Sequence, residues 1–172
     1  MNRILVVLLW VGLVCAGAGA SIIVVDYDEN TQGLHTAGLL IEWKDGFRAE
    51  FAVRFDQESL TGLELLRAVE SRTELVVTTE DFGWGLFVDG LAYQEHSNQG
   101  YGGGEDWWHY WVRSGDDPWV TSSVGPVERV VYDGQHNGWV YGRDTIPEPA
   151  TLGLLAMGLA ALRRRMAAMS RG

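Results

Sequence analysis

The chain has 172 residues, a net charge of −10 and one cysteine, Cys15, near its N-terminus. All 23 acidic residues lie between Asp26 and Glu148, together with only 8 of the 13 lysines and arginines, so this middle region carries 8 − 23 = −15. This negative charge repels phosphate backbones and argues against nucleic acid as a partner. Because the middle region has no cysteine, it cannot contain an internal disulfide, a cysteine-based zinc site or a thiol nucleophile.

The first 20 residues are typical of a secretory signal peptide. Arg3 precedes an apolar stretch at residues 4–14, and Ala18-Gly19-Ala20 gives a small-residue cleavage site before Ser21. The apolar stretch is shorter than the ~20 residues that a membrane-spanning helix needs. We therefore expect signal peptidase to cleave between Ala20 and Ser21, with an uncleaved anchor as the alternative.

The next segments predict three strands. Residues 21–26 form an apolar, β-branched run of strand length, which favours a buried strand. Residues 35–55 predict a hairpin around the turn Lys44-Asp45-Gly46. In its second strand, apolar residues at every other position from Phe47 to Phe55 predict one buried and one solvated face, as in antiparallel sheets.

One helix is predicted within residues 56–74. Thr61 is the expected N-cap, and Glu64 completes a capping box with it. Leu63, Leu66 and the pair Ala68-Val69 are expected to share the buried face. Residues 75–79 return to a strand pattern, and further strands are expected at residues 127–132 and 139–141.

Residues 107–113, WWHYWVR, predict a strand with aromatic rings on both faces. Trp107, His109 and Trp111 alternate with Trp108, Tyr110 and Val112. Such rings form either the core of a domain without disulfides or a platform on which a sugar ring stacks. The candidate ligand-binding residues are Trp107, Trp108, Tyr110 and Trp111.

The histidines and serines form no recognisable catalytic or metal-binding pattern. His35, His96, His109 and His136 are dispersed, without H-x-H or H-x-x-x-H spacing, and the sequence has no G-x-S-x-G. We therefore expect no metal, no cofactor and no enzymatic activity. A hydrolase stays the alternative if His109 or His136 meets a carboxylate in a cleft.

Residues 145–172 contain three ordered elements: the triplet Pro147-Glu148-Pro149, an uncharged apolar run at residues 150–162, and three consecutive arginines. The run is apolar on all its faces, and the arginines fit the positive-inside rule for a short transmembrane helix. The residues expected to meet the membrane are Leu152, Leu155, Leu159, Leu162, Arg163, Arg164 and Arg165.

These three elements, in this order, resemble the PEP-CTERM sorting signal of exported bacterial proteins. The resemblance implies recognition by an exosortase, cleavage near Pro147-Glu148-Pro149, and delivery to the cell surface or extracellular matrix. It also implies a transient membrane anchor and, in many such bacteria, a setting rich in exopolysaccharide.

The middle of the chain carries a second resemblance. The segments TGLELLRAV, GLFVDG, WHYW and WVY, within residues 51–142, resemble the C-terminal β-domain of the transcobalamin and intrinsic factor family. This implies an α+β, β-grasp-like fold with a mixed or antiparallel sheet and one main helix. In the vitamin carriers this domain helps to cover a corrinoid, and Trp108, Tyr110 and Trp111 lie in the matching strand.

The sequence thus predicts one α+β domain at residues 21–144, between a signal peptide and a sorting signal. The expected function is a non-enzymatic structural or interaction role at the cell surface or in the matrix. The expected partners are signal peptidase and an exosortase during export, and exopolysaccharide or other surface proteins afterwards. The alternative is a ligand-binding module that takes a glycan or a corrinoid-like molecule on its aromatic strand.

Overall fold

A computed structural model describes residues 21–83 and 85–146 of the chain. The predicted signal peptide at residues 1–20 lies outside the described residues, as do the triplet, the apolar run and the basic tail at residues 147–172. Among the residues that are described, no helix has the length and apolar character that a membrane crossing requires.

The described residues form strands and a single helix. The elements are β1 (Ile22–Asp26), β2 (His35–Glu42), β3 (Arg48–Phe55), β4 (Leu60–Thr61), α1 (Gly62–Arg72), β5 (Val76–Asp81), β6 (Leu86–Tyr93), β7 (His96–Gln99), β8 (Trp108–Ser114), β9 (Val120–Thr121), β10 (Val130–Val131) and β11 (Gln135–Tyr141). This strand-rich content with one helix agrees with the predicted α+β class. The strand expected at residues 127–132 is shorter than predicted, because only the two residues of β10 pair, with β4.

The main sheet has six strands in the order β1-β3-β2-β11-β8-β9. Its β1–β3 and β2–β11 pairs are parallel, and its other pairs are antiparallel. A second, antiparallel sheet has the order β5-β6-β7. The mixed and antiparallel pairing is as predicted, and the finer description as β-grasp-like stays a prediction.

The principal core lies on one face of the six-stranded sheet, here called the front face, which carries Phe51, Tyr110 and Trp139. The helix α1 packs there against β1, β2 and β3, and the three-stranded sheet adds its own apolar residues to the same core. Trp43 joins the two sheets, because its Nε1 donates a hydrogen bond of 2.9 Å to the Leu91 carbonyl.

The helix begins with the predicted capping box. The Thr61 Oγ1 accepts a hydrogen bond of 3.1 Å from the Glu64 amide, and the Glu64 side chain accepts one of 2.7 Å from the Thr61 amide. Leu66, Ala68 and Val69 are buried as predicted. Leu63 was wrongly assigned to the buried stripe, since Leu65, on the same face as Leu66 and Val69, completes it.

The hairpin at residues 35–55 is confirmed, with β2 and β3 paired from His35–Phe55 to Glu42–Arg48. The burial of the first strand is only partly as predicted. Val25 is buried, but Ile22 is 60% and Val24 58% exposed. The reason is that Val25 points to the front face, where α1 packs against β1, whereas Ile22 and Val24 alternate to the other side of the strand.

The opposite face of the six-stranded sheet, here called the back face, carries a smaller apolar cluster formed by Leu40, Trp111, Val140, Ile146 and the half-buried Trp119. The chain reaches it by reversing after β11, at Gly142, whose φ of 72° favours glycine. Ile146 then lies over β11 itself, with its Cδ1 2.8 Å from the point where a Cβ on Gly138 would lie. Packing therefore continues as far as Ile146, two residues beyond the predicted domain boundary at residue 144.

Candidate ligand-binding cleft

The front face carries a floor of stacked aromatic rings. The Tyr110 and Trp139 rings lie with centroids 4.3 Å apart and planes 17° apart. Trp108 lies on the same face, and its Nε1 donates a hydrogen bond of 3.2 Å to the Asn98 carbonyl. All three side chains are buried, so the floor belongs to the core and is held rigidly.

A cavity of about 640 Å³ opens above this floor, within the ~300–1,000 Å³ that is typical of small-molecule sites. Its walls come from the start of β6, the loop after β7, and the segment from β9 to residue 128. Among the described residues, five aromatic side chains are exposed, and four of them line this cavity. Those four are Phe82, Phe87, Tyr101 and Trp107. The cavity, together with these four residues, is here called the cleft.

The two phenylalanines are placed by the turn between β5 and β6. Gly83 adopts a φ of 78°, and its amide donates a hydrogen bond of 2.7 Å to the Asp81 side chain. The turn brings Phe82 and Phe87 together, edge to face, with ring centroids 5.4 Å apart. This pair forms one wall of the cleft.

Trp107 and Tyr101 come from the glycine-rich loop between β7 and β8. The Trp107 ring rests on the buried His109 ring, with centroids 3.8 Å apart. The amide of Gly102 donates to the Asp106 carbonyl at 2.7 Å, which ties the loop to itself. Tyr101 is 73% exposed and Trp107 41% exposed, so both present ring surface to solvent at the cleft.

The charged residues that line the cleft are both acidic. They are Asp89 and Glu128, and none of the described residues lining it is Lys, Arg or His. Glu128 also accepts a hydrogen bond of 3.3 Å from the Gly125 amide, which orders the third wall. Thr121, Ser122 and Ser123 add hydroxyl groups. The cleft can therefore stack against apolar ligand faces and accept hydrogen bonds from ligand hydroxyls.

A buried polar cluster lies beside the floor. The hydroxyl of Tyr110, the amide nitrogen of Asn137 and the Pro126 carbonyl surround the position where Gly62 lacks a side chain. Within the described part of the chain, neither the Tyr110 hydroxyl nor the Asn137 side-chain amide has a hydrogen-bond partner. Burial raises the pKa of Tyr110 well above its usual value, so this hydroxyl stays protonated.

The structure separates the four residues that the sequence singled out. Trp107, Trp108 and Tyr110 meet at the cleft, the first as wall and the other two as floor. Trp111 points to the back face, into the cluster with Leu40 and Val140. The alternation of a strand explains the division, since neighbouring residues face opposite sides of the sheet.

Three of the four exposed aromatic residues of the cleft were not singled out from the sequence: Phe82, Phe87 and Tyr101. Phe82 and Tyr101 stand in the glycine-rich stretches DFGWG and QGYGGG. An aromatic residue among glycines is expected in a loop, where no strand or helix directs it into a core. This composition could have indicated Phe82 and Tyr101 as exposed candidates for binding.

The histidines do not line the cleft. His109 Nε2 lies 3.4 Å from a Glu105 carboxylate oxygen, behind Trp107. His136 lies beside Gly38 on β2, and burial together with Arg113 lowers its pKa. Across residues 21–83 and 85–146, no three His, Cys, Asp or Glu side chains are grouped so that they could hold a metal ion.

The comparison with protein families identifies the C-terminal region. The PEP-CTERM protein-sorting motif matches residues 145–165. A search of curated proteins found no match to the chain, and the resemblance to the transcobalamin β-domain has no support from these comparisons. The motif indicates export, membrane-associated processing by an exosortase, and sorting toward the cell surface. The chain therefore carries a PEP-CTERM sorting motif joined directly to a folded domain that presents an aromatic cleft.

Proposed function

We propose that this protein is a non-enzymatic interaction domain displayed on the cell surface or in the extracellular matrix. The observation that carries this proposal is the sorting motif at residues 145–165. Its match begins at Thr145, directly before Ile146, whose side chain packs in the back-face cluster. The exported cargo is then the domain described here.

The N-terminal residues support the same route. Ser21 is exposed, and β1 begins at the next residue, Ile22. Cleavage after Ala20 would leave a short N-terminus directly before a paired strand, without removing any residue that the sheet uses. Signal peptidase is the enzyme proposed for this step.

The C-terminal step follows from the chemistry of the motif. Proline disfavours a helix at its own position and at the preceding residue, and the triplet has prolines at 147 and 149. The apolar run at residues 150–162 holds the exported chain at the membrane, and the arginines at 163–165 keep its end on the cytoplasmic side. We propose that the exosortase cleaves near the triplet and releases the domain from this transient anchor.

Intact mass and localisation in the host test this route. The wild-type protein should lose about 20 residues at its N-terminus and should be shortened near Pro147-Glu148-Pro149 in an exosortase-dependent manner. A triplet variant, Pro147→Ala with Glu148→Ala, should accumulate at the membrane with its C-terminal region intact. The proposal fails if cells without the exosortase process and release the protein as wild-type cells do.

A second candidate function, a ligand-binding module, is favoured by the clustering of exposed aromatic rings in one cleft. The ligand classes considered are a glycan and a corrinoid-like molecule. Tryptophan fluorescence reports binding at the cleft, because Trp107, Trp108 and Trp139 all line it. Titration with the host exopolysaccharide and with cobalamin tests the candidate, and a flat response to both removes it. If the polysaccharide were shortened during the titration, the non-enzymatic assignment would be wrong.

A further inference from the structure

We propose that the cleft is a binding site for a neutral saccharide, an uncharged chain of hexoses. In this proposal the sugar rings stack on Trp107 and Tyr101, and their hydroxyls donate hydrogen bonds to Asp89 and Glu128. The inference rests on the proposed ligand-binding role and does not depend on the route of export.

The exposed rings indicate a ligand with apolar faces. Small-molecule sites are typically concave and lined mainly by apolar and aromatic side chains with a few polar groups. Here four exposed aromatics converge on one cavity, and the remaining exposed aromatic among the described residues, Tyr132, stands outside it. The C–H face of a hexose is apolar and fits flat on an aromatic ring, whereas the edge of the sugar carries its hydroxyls.

The polar residues of the cleft exclude a purely apolar ligand. A lipid tail would remove the carboxylates of Asp89 and Glu128 from water without giving them a hydrogen-bond donor, which is costly. A sugar hydroxyl supplies such a donor. Carboxylate acceptors beside aromatic rings therefore favour a ligand that alternates apolar faces with hydroxyl edges.

The charge of the cleft selects against anions. Both charged residues that line it are acidic, and residues 26–148 carry a charge of −15. A uronic acid polymer or a phosphorylated ligand would meet repulsion without a basic partner among the described lining residues. A small quaternary ammonium ion would suit the carboxylates, but such ions are held in close aromatic cages, and the cavity of about 640 Å³ is far larger than one of them.

Trp107 is positioned to act as the anchor of the site. Its ring is supported from behind by His109 at a centroid distance of 3.8 Å, and His109 is itself buried. A ring fixed in this way loses little conformational freedom on binding, so most of the stacking energy appears as affinity. Tyr101, in the glycine-rich loop, adds a second ring at the rim.

Isothermal titration of the processed protein tests the proposal with defined probes. The neutral probes are cellohexaose, maltohexaose and laminarihexaose, the acidic probe is hexagalacturonate, the cationic probe is choline, and cobalamin is included. We expect a neutral hexasaccharide to bind and the acidic and cationic probes to give no heat of binding. Because the ligand carries no charge, its affinity should not change between about 0.05 and 0.5 M salt.

Matched variants locate the site. Trp107→Ala and Tyr101→Ala should each weaken binding of the neutral probe by roughly tenfold, the loss expected from one aromatic contact. Asp89→Asn, which removes the charge and keeps the shape, should weaken it by a few-fold. Tyr132→Ala is the control for Tyr101→Ala, because Tyr132 is also exposed but does not line the cleft, and it should bind as the wild type does.

The possible outcomes separate the inference from the function on which it rests. Preferential binding of hexagalacturonate or choline overturns the neutral-saccharide inference, and so does equal weakening by Tyr132→Ala and Tyr101→Ala. Binding of cobalamin alone also overturns it but leaves the ligand-binding role intact. If no probe binds and the host exopolysaccharide does not change the tryptophan fluorescence, both the neutral-saccharide inference and the ligand-binding role are overturned.

Discussion

The ring of Tyr110 stacks on the ring of Trp139 with their centroids 4.3 Å apart, across two antiparallel strands. The pair belongs to the principal core and is at the same time the floor of the cleft. The cleft therefore consists of a floor that contributes to stability and of walls whose aromatic rings are exposed to solvent.

This division predicts that truncating an aromatic residue of the floor and one of the walls will have very different effects on the free energy of unfolding. Trp139→Ala should lower the free energy of unfolding by about 3–5 kcal/mol, because it leaves a large cavity in the core. Tyr101→Ala should change it by no more than about 0.5 kcal/mol, since Tyr101 is largely exposed. Urea denaturation of the purified exported protein measures both values. Similar losses in the two variants would show that Tyr101 is part of the core.

The contact between Gly62 and Tyr110 predicts a strong coupling. A Cβ at Gly62 would collide with the buried Tyr110 hydroxyl, so Gly62→Ala should cost about 1–3 kcal/mol of stability through overpacking. In a Tyr110→Phe background the obstructing oxygen is gone, and the penalty should fall by about 1 kcal/mol or more. A double-mutant cycle of unfolding free energies checks this. If Gly62→Ala costs the same in both backgrounds, the two residues do not compete for this space.

The hydrogen bonds of Asp56 should make the loop between β1 and β2 sensitive to acid. Its carboxylate accepts hydrogen bonds from the amides of Gln32, Gly33 and Leu34 at 2.6, 2.8 and 3.1 Å, and these bonds lower its pKa. Because the folded-state pKa is lowered, the resulting stability is present above the unfolded-state value of about 3.9 and is lost as the pH falls through the folded-state value.

Asp56→Asn should therefore lower the melting temperature at neutral pH, because a side-chain amide has one acceptor oxygen where the carboxylate has two. The gap between variant and wild type should begin to close below about pH 4, where the Asp56 carboxylate of the unfolded chain takes up a proton, and should vanish below the lowered folded-state pKa. Thermal unfolding followed by circular dichroism across this range measures the gap. A gap that stays constant down to about pH 2.5 would contradict the assignment.

The back-face cluster predicts that the last packed residue contributes to stability. Ile146 is buried against Leu40, Trp111 and Val140, so Ile146→Ala should cost about 2–5 kcal/mol and the milder Ile146→Val about 0.5–1.5 kcal/mol. Denaturant unfolding of the exported protein gives both numbers. If Ile146→Ala unfolded at the wild-type midpoint, the segment after β11 would not be docked in solution.

The elements predicted well from the sequence are those that depend on neighbouring residues. The alternation from Phe47 to Phe55 and the turn at Lys44-Asp45-Gly46 describe β3 and its hairpin, and Thr61 and Glu64 mark the start of α1. Each pattern is complete within about ten residues, so local geometry alone imposes it.

The parallel pairings could not be predicted, because they join distant segments. Trp139 lies beside Ile41 through the β2–β11 pair, almost one hundred residues apart. The exposure of Ile22 and Val24 depends on which face of β1 the rest of the domain covers, and the composition of the strand does not encode that. Short strands such as β4, β9 and β10 carry too few residues to form a period.

The cleft was predicted only where it coincides with the aromatic run at residues 107–113. The aromatic run at residues 107–113 indicated Trp107, Trp108 and Tyr110, but its pattern could not show which face would be covered. Phe82 reaches the cleft from the turn between β5 and β6, Phe87 from the start of β6, and Tyr101 from a loop. Their convergence depends on how three separate segments pack, and no local pattern records that.

Ile146 belongs at once to the sorting motif and to the packed domain. A mutation in Leu40, Trp111 or Val140 therefore alters the surroundings of the motif without touching its sequence. Genetic screens that score export would place such changes among the sorting mutants, although the residues lie in the middle of the fold. The sorting motif and the exported domain therefore share a residue, and a motif transplanted to another protein would carry Ile146 without the back-face cluster against which it packs here.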